Sequence, residues 1–244
     1  MSGAEQNVSR QRREAVLFDL DGVIASSEET KSEAHVQTVL TLSGTPSQKL
    51  KELFWEIIGL SYEETRDRFL ECGNIVATPE IKEAYRSLYS SIYRSKLQDV
   101  GLSQGAGDLL QTLSDRRYRI GLVTSAHPEE VATILRRNQV EHFFDVIITA
   151  DSVMNHKPAS DPYLKALELL GLQQTPDFAV VFEDTWAGVT AAKAARLKVF
   201  AVRHHLNHGQ NLDQAERVFD SLADDQILPT IEATLSQSLS YLSS

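Results

Sequence analysis

Four small polar clusters follow short apolar runs along this chain. They are Phe18-Asp19-Leu20-Asp21-Gly22, Val123-Thr124-Ser125, Asn155-His156-Lys157-Pro158 and Phe182-Glu183-Asp184. Gathered in one place, they offer several carboxylates, one ammonium and one hydroxyl. Such a set suits phosphoryl transfer. A carboxylate can attack phosphorus and form an aspartyl-phosphate. A second carboxylate two residues further on can protonate the leaving alkoxide and then deprotonate water. Asp19 is the candidate nucleophile and Asp21 the candidate general acid/base. Mg²⁺ favours oxygen ligands, with one or two carboxylates completed by phosphate oxygen and water. Asp19 and Asp184 would supply such ligands, and the backbone carbonyl of Asp21 is a further candidate. Glu183 is either a fourth metal ligand or a hydrogen-bonding neighbour. The Lys157 ammonium would neutralise nucleophile and phosphate together. Thr124, with backbone N–H groups near Ser125 at the start of the next helix, would hold the phosphoryl oxygens. A carboxylate approaching a phosphate dianion is otherwise repelled, so the chemistry requires both metal and lysine.

The elements that would carry these clusters can be read from periodicity. Residues 15–20 are apolar, rich in strand formers, and end in acidic residues and a glycine, which predicts a buried strand feeding a loop. Residues 28–97 turn to helical periodicity, with breaks at Ser43-Gly44-Thr45-Pro46, at Gly59-Leu60-Ser61 and around Cys72-Gly73. Four helices are predicted there, with Ser47, Ser61 and Thr78 as N-caps and Glu64 completing a capping box with Ser61. Beyond residue 100, strands at 119–123, 144–149, 178–182 and 198–202 alternate with helices at 128–138, 162–170 and 185–195. Asp161 is the expected N-cap of the second of these helices. One more strand and helix are expected at 217–219 and 231–242. Alternation of this kind implies right-handed βαβ units and a parallel sheet. The expected fold is therefore α/β, a Rossmann-like doubly wound parallel-sheet core with an inserted helical-bundle cap domain. Its division would be a disordered leader at 1–13, the core at 14–27 and 98–244, and the cap at 28–97. In open parallel sheets, ligands bind at the carboxyl ends of the strands, which is where the four clusters fall.

The four clusters resemble, in order and spacing, the four motifs of the haloacid dehalogenase-like superfamily. Phe18-Asp19-Leu20-Asp21-Gly22-Val23 resembles the first motif, Thr124 the second, and Lys157 within His156-Lys157-Pro158 the third. Glu183-Asp184 before Thr185-Trp186-Ala187-Gly188 resembles the fourth. The likeness runs from about residue 15 to residue 202. It implies a Rossmann-like core, an aspartyl-phosphate intermediate, a Mg²⁺ requirement and a cap domain between the first two motifs. Within the superfamily the chain looks nearest the branch of β-phosphoglucomutase, phosphoglycolate phosphatase and related sugar-phosphate phosphatases. True dehalogenases lack the second aspartate and phosphonatases replace it with a small residue, so Asp21 speaks against both activities. The mutase pattern has a hinge histidine where this chain has Lys31. It also has a cationic run where this chain has Ile58-Gly59-Leu60-Ser61-Tyr62. Hydrolysis of a phosphomonoester of a small metabolite, a sugar phosphate above all, is the resulting expectation. A phosphomutase, and a catalytically silent binding protein on the same fold, are the alternatives. Gly59, Tyr62 and Arg66, near the presumed specificity loop, are candidates for substrate contact.

Bulk properties narrow the partners. The net charge of −10 over 244 residues and the pI near 5.2 oppose nonspecific binding to nucleic acid or to an anionic membrane. An anionic substrate then needs local positive charge in its site. The one cysteine, Cys72, excludes an intrachain disulfide and suits a reducing compartment. No apolar run reaches the ~18 residues a bilayer crossing needs. The polar first residues lack a secretory core, so a cytoplasmic location is expected, with an organellar stroma or matrix left open by Gln11-Arg12-Arg13. The expected assembly is a monomer or weak homodimer, and the expected partner a small phosphorylated metabolite.

Overall fold

A computed structural model of the chain describes residues 13–43 and 48–240. The cap residue expected at Ser47, the break at 44–46, residues 1–12 of the expected leader and the end of the last helix lie outside the described residues. Six parallel strands form one sheet in the order β3-β2-β1-β4-β5-β6. They are β1 (Ala15–Phe18), β2 (Arg119–Val123), β3 (Val146–Ile148), β4 (Ala179–Glu183), β5 (Lys198–Val202) and β6 (Arg217–Phe219). The strand order reverses between β1 and β4, whose register pairs Phe18 with Phe182. In a doubly wound sheet this switch point opens a crevice at the carboxyl edge. Asp19 leaves β1 and Glu183-Asp184 end β4 at that crevice.

The alternation of side chains explains why strands this short are stable. Val16 and Phe18 face one apolar layer together with Ile120, Leu122, Val180, Phe182 and Phe200. Ala15 and Leu17 face the other, with Val123, Val181, Val199 and Ala201. Both faces are buried, as parallel strands require. On the first lie α5 (Ala106–Asp115), α6 (Pro128–Arg137) and α9 (Ile227–Ser240), and on the second α7 (Asp161–Leu169) and α8 (Trp186–Ala194). α5 is not among the elements read from the sequence, although Ala106, Leu109, Leu110 and Leu113 keep helical period and are buried. Asp161 proves to be the first residue of α7, with Ser160 before it. Its carboxylate accepts from Asn155 Nδ2 at 2.8 Å rather than capping the helix. α9 begins at Ile227, one turn earlier than expected.

Between β1 and β2 come α1 (Glu28–Ser43), α2 (Gln48–Ile57), α3 (Tyr62–Cys72) and α4 (Pro79–Lys96), with α1 packed on each of the other three. α3 starts with the expected capping box of Ser61 and Glu64, and α4 with Thr78 and Pro79. The chain leaves and re-enters the sheet layer side by side. Ser26 N–H donates to the Gly101 carbonyl at 3.0 Å and Ser103 N–H to that of Ile24 at 2.9 Å. No helix among the described residues is long and apolar enough to cross a membrane.

Candidate active site

The Lys157 ammonium is the centre of the cluster. It lies 2.6 Å from Asp19 Oδ1, 2.6 Å from Glu183 Oε1 and 2.7 Å from the Val123 carbonyl oxygen. These groups come from the ends of β1, β4 and β2 and from the loop before α7. Parallel strands in register deliver them to one edge. Burial alone would push the lysine pKa down, but the two carboxylates hold it above its ordinary value. Glu183 is fully enclosed and has little freedom. Its Oε1 also accepts from the Tyr163 hydroxyl at 2.5 Å and its Oε2 from the Asp184 N–H at 3.2 Å. α8 starts immediately beyond, with Thr185 as N-cap accepting from Gly188 N–H. Gly188 has no side chain to compete with the Glu183 carboxylate resting against it.

Asp19 and Asp184 form the acidic side. Burial raises the Asp19 carboxyl to about 7, against the opposing pull of Lys157. Burial, and then the neighbouring Asp19 and Glu183, raise that of Asp184 well above the carboxylate range. One oxygen from each of Asp19, Glu183 and Asp184 lies within 4.8 Å of the others. Asp184 Oδ1 is buried and meets no hydrogen-bond donor among the described residues. A buried carboxylate oxygen left this way is costly. An all-oxygen donor set with such a vacancy in its pairing fits a hard divalent cation.

Asp21 points elsewhere. Ser27 Oγ donates to its Oδ1, and its Oδ2 is 2.8 Å from the Lys31 ammonium. Lys31 also pairs with Glu28 at 3.0 Å. The Asp21 side chain therefore lies outside the three-carboxylate group and is tied to α1. Across the crevice, Thr124 is buried, and its hydroxyl oxygen accepts from Ala126 N–H at 3.1 Å, which leaves the hydroxyl proton to donate. Ser125 is exposed beside it.

A family profile described as haloacid dehalogenase-like hydrolase matches residues 16–202, a span that contains every residue of the cluster. The chain belongs to the haloacid dehalogenase-like hydrolases. This hydrolase is 32% identical over 207 residues to a phosphorylated carbohydrates phosphatase of Thermotoga maritima, covering 84% of this chain and 92% of that protein. It resembles the crystal structure of CbbY from Rhodobacter sphaeroides in complex with phosphate, with a TM-score of 0.72 and 27% identity across 86% of this chain and 95% of that one. A β-phosphoglucomutase structure from Clostridium difficile gives a TM-score of 0.75 and 25% identity across 93% and 99% of the two chains.

Three parts of the hydrolase's site were not foreseen from sequence. His204, after β5, has Nδ1 accepting from Leu206 N–H at 3.3 Å, so its ring proton sits on Nε2. That proton faces Asp184 Oδ2 at 3.0 Å. Burial lowers the His204 pKa to about 4, so the ring is a neutral donor. Asn207 is fully buried and donates to the Asp184 and Val202 carbonyls, each at 2.9 Å. Ser27 and Lys31 hold Asp21. The run His204-His205-Leu206-Asn207-His208 was a visible cue, but only folding shows which of its polar groups turn toward Asp184. Of the candidate substrate contacts, Gly59 reaches the site's rim, where its missing Cβ would stand 3.3 Å from Thr185. Tyr62 and Arg66 pack inside the helical insertion. Tyr62 stacks on His35 and lies tilted against Tyr89. Arg66 is buried and paired with Asp67 at 2.8 Å. None of these contacts reaches Asp19, Lys157 or Asp184.

Proposed function

We propose that this hydrolase is a Mg²⁺-dependent phosphatase that cleaves a phosphomonoester of a small metabolite, a sugar phosphate above all, through an aspartyl-phosphate on Asp19. The observation that carries this reading is the single ammonium of Lys157 bridging Asp19 and Glu183 while Asp184 Oδ1 stays unpartnered beside them. A nucleophilic carboxylate must be ionised, and burial opposes that for Asp19. Lys157 supplies one compensating charge. Asp19 and Asp184 would hold the metal, with the Asp21 backbone carbonyl as a further ligand, and the bound cation would supply the remaining charge compensation for nucleophile and phosphate. Glu183, whose oxygens are already engaged, keeps Lys157 aimed. The Thr124 hydroxyl and the neighbouring Ser125 amide hold phosphoryl oxygens. In the first step Asp19 attacks phosphorus while Asp21 protonates the departing alkoxide. In the second Asp21 takes a proton from water as that water attacks the acyl phosphate.

Residues 28–97 act as a cap over this edge, moving about the paired segments at 24–26 and 101–103. Lys31 links Asp21 to α1 of that cap, so the acid/base is positioned by the cap. Hydrolysis is favoured over mutase chemistry by the charges near the mouth. The segment Ile58 to Tyr62 has no cation, Arg66 is committed to Asp67, and Lys31 to Asp21 and Glu28. Among these described residues a second phosphate would find no free positive partner. A phosphate-release screen over a few tens of phosphorylated metabolites, with and without EDTA, tests the reading. Turnover should vanish with EDTA and return with Mg²⁺. In Asp19→Asn it should fall by more than about a thousandfold while the far-ultraviolet dichroism is unchanged. An isomerised sugar phosphate in place of inorganic phosphate, or turnover indifferent to EDTA, would overturn it.

A further inference from the structure

The loop after β5 does more than hold Asp184. Gln210, near its end, reaches two groups that belong to different parts of the molecule. Its Nε2 donates to the Ile58 carbonyl at 2.5 Å, and its Oε1 accepts from the Trp186 N–H at 2.8 Å. Ile58 is the residue just after α2 and Trp186 is the first residue of α8. Carbonyls at a helix C-terminus and N–H groups at a helix N-terminus have no partner within their own helix. One amide side chain therefore satisfies an end of α2 and an end of α8 together, its nitrogen donating and its oxygen accepting.

The surroundings make this bridge specific. Gly59 has φ +86°, and a Cβ there would stand 3.1 Å from Gln210 Oε1 and 3.3 Å from Thr185. The α2–α3 loop thus rests on the N-cap of α8, one residue beyond Asp184. Gln210 is itself anchored. Its N–H donates to the Asn207 carbonyl at 3.0 Å, and Arg203 Nη1 donates to the Asn207 carbonyl at 3.0 Å. The Asn207 side-chain Nδ2 in turn donates to the Asp184 backbone carbonyl at 2.9 Å. A second contact joins the same loop to the cap at α1, where His205 Nε2 lies 2.8 Å from Glu29 Oε1. That pair is exposed on both sides and contributes little.

We propose that Gln210 is a positioning residue that latches the Ile58–Leu60 loop over the mouth of the site, and that it thereby favours phosphoesters whose leaving group fills the cap over small phosphoryl donors. The proposal rests on the phosphatase reading for its kinetic arm alone. Opening the cap releases both helix-end groups to water, so the latch is reversible. Its loss weakens closure by an amount of the order of one hydrogen bond, about fivefold in the closed population.

The test compares wild type with Gln210→Ala and with Gln210→Glu, in Mg²⁺. The glutamate keeps the length and the acceptor for Trp186 but places a carboxylate against the Ile58 carbonyl. Both variants should raise KM for p-nitrophenyl phosphate about fivefold and leave kcat/KM for acetyl phosphate unchanged. In hydrogen–deuterium exchange with Mg²⁺ and inorganic phosphate present, peptides spanning residues 58–64 should exchange faster in both variants. Peptides of β1 and β4 should not change. Equal losses on both substrates would mean that Gln210 acts through Asp184 and not on the mouth, which overturns the proposal. So would variants that match wild type in exchange at 58–64. If wild type cleaves neither compound, the exchange measurement at residues 58–64 alone decides whether the latch exists. Should Gln210→Ala fail to fold, the isosteric Gln210→Glu carries the test.

Discussion

Glu183 shows how narrowly single side chains are set in this site. A Cβ added at Gly188 would stand 2.0 Å from the Glu183 carboxyl carbon, and Gly188 sits in α8 with ordinary helical neighbours. Its backbone would accept alanine, which is the better helix former, so intrinsic propensity predicts mild stabilisation from Gly188→Ala. The clash decides otherwise. We expect the variant to lose about 3 kcal/mol by urea unfolding, in the upper range for overpacking, and to lose turnover with it as Glu183 drags Lys157 off Asp19. A stability within about 0.5 kcal/mol of wild type would show that Glu183 has more room than the geometry gives it. Lys157 is subject to the opposite error. Its buried ammonium faces two carboxylates, so Lys157→Ala leaves both uncompensated. A destabilisation of about 3–5 kcal/mol, seen as a fall in the urea midpoint, should accompany the loss of activity. An active-site substitution with no effect on stability would argue that the carboxylates shed their charge at little cost.

The helices between β1 and β2 carry a titration of their own. His35 on α1 is buried, meets the Tyr85 hydroxyl at 2.8 Å and stacks 4.2 Å from Tyr89 and 4.8 Å from Phe69. Burial, followed by the charge of Lys31, lowers its pKa to about 3. The folded state therefore refuses a proton that the unfolded chain accepts near its ordinary value of about 6.5. Stability contributed by the neutral ring is complete above about pH 6.5 and is lost as the pH falls toward 3. At pH 5 the loss is on the order of 2 kcal/mol relative to pH 7. Urea midpoints followed by far-ultraviolet dichroism at the two pH values check this, with His35→Gln losing most of the difference. Equal pH slopes in the two proteins would contradict it. These helices were also the elements whose boundaries were most legible, because Ser61-Glu64 and Thr78-Pro79 are local signals that act within one turn. The residues that pack between helices were not legible. Tyr62 and Arg66 read as exposed candidates for substrate contact, yet they turn into the insertion toward His35 and Asp67. Helical period fixes which residues share a face, while the neighbour that covers the face depends on the other helices.

At the scale of the whole molecule, the sheet makes the site. Asp19, Thr124 and Glu183-Asp184 were legible in sequence because each follows a strand, and parallel strands in register must bring their carboxyl ends together. The switch point between β1 and β4 then fixes which of them face one crevice. Lys157 was legible by type and spacing, although its loop has no strand of its own to place it. What stayed hidden is the layer behind: His204 and Asn207 on Asp184, Ser27 and Lys31 on Asp21, and Gln210 between α2 and α8. His204 and Asn207 lie some twenty residues from Asp184, and Ser27 and Lys31 reach Asp21 from the start of α1, whose direction is set by packing, so no local pattern announces them. The central claim remains covalent and concerns Asp19. The most direct measurement is to quench the enzyme in acid during turnover of a phosphomonoester, reduce with borohydride and map the peptides by mass spectrometry. An acyl phosphate is reduced to the alcohol, so homoserine should appear in place of aspartate at position 19 and nowhere else. Homoserine at another carboxylate, or an unmodified Asp19 in enzyme that is releasing phosphate, would contradict the mechanism.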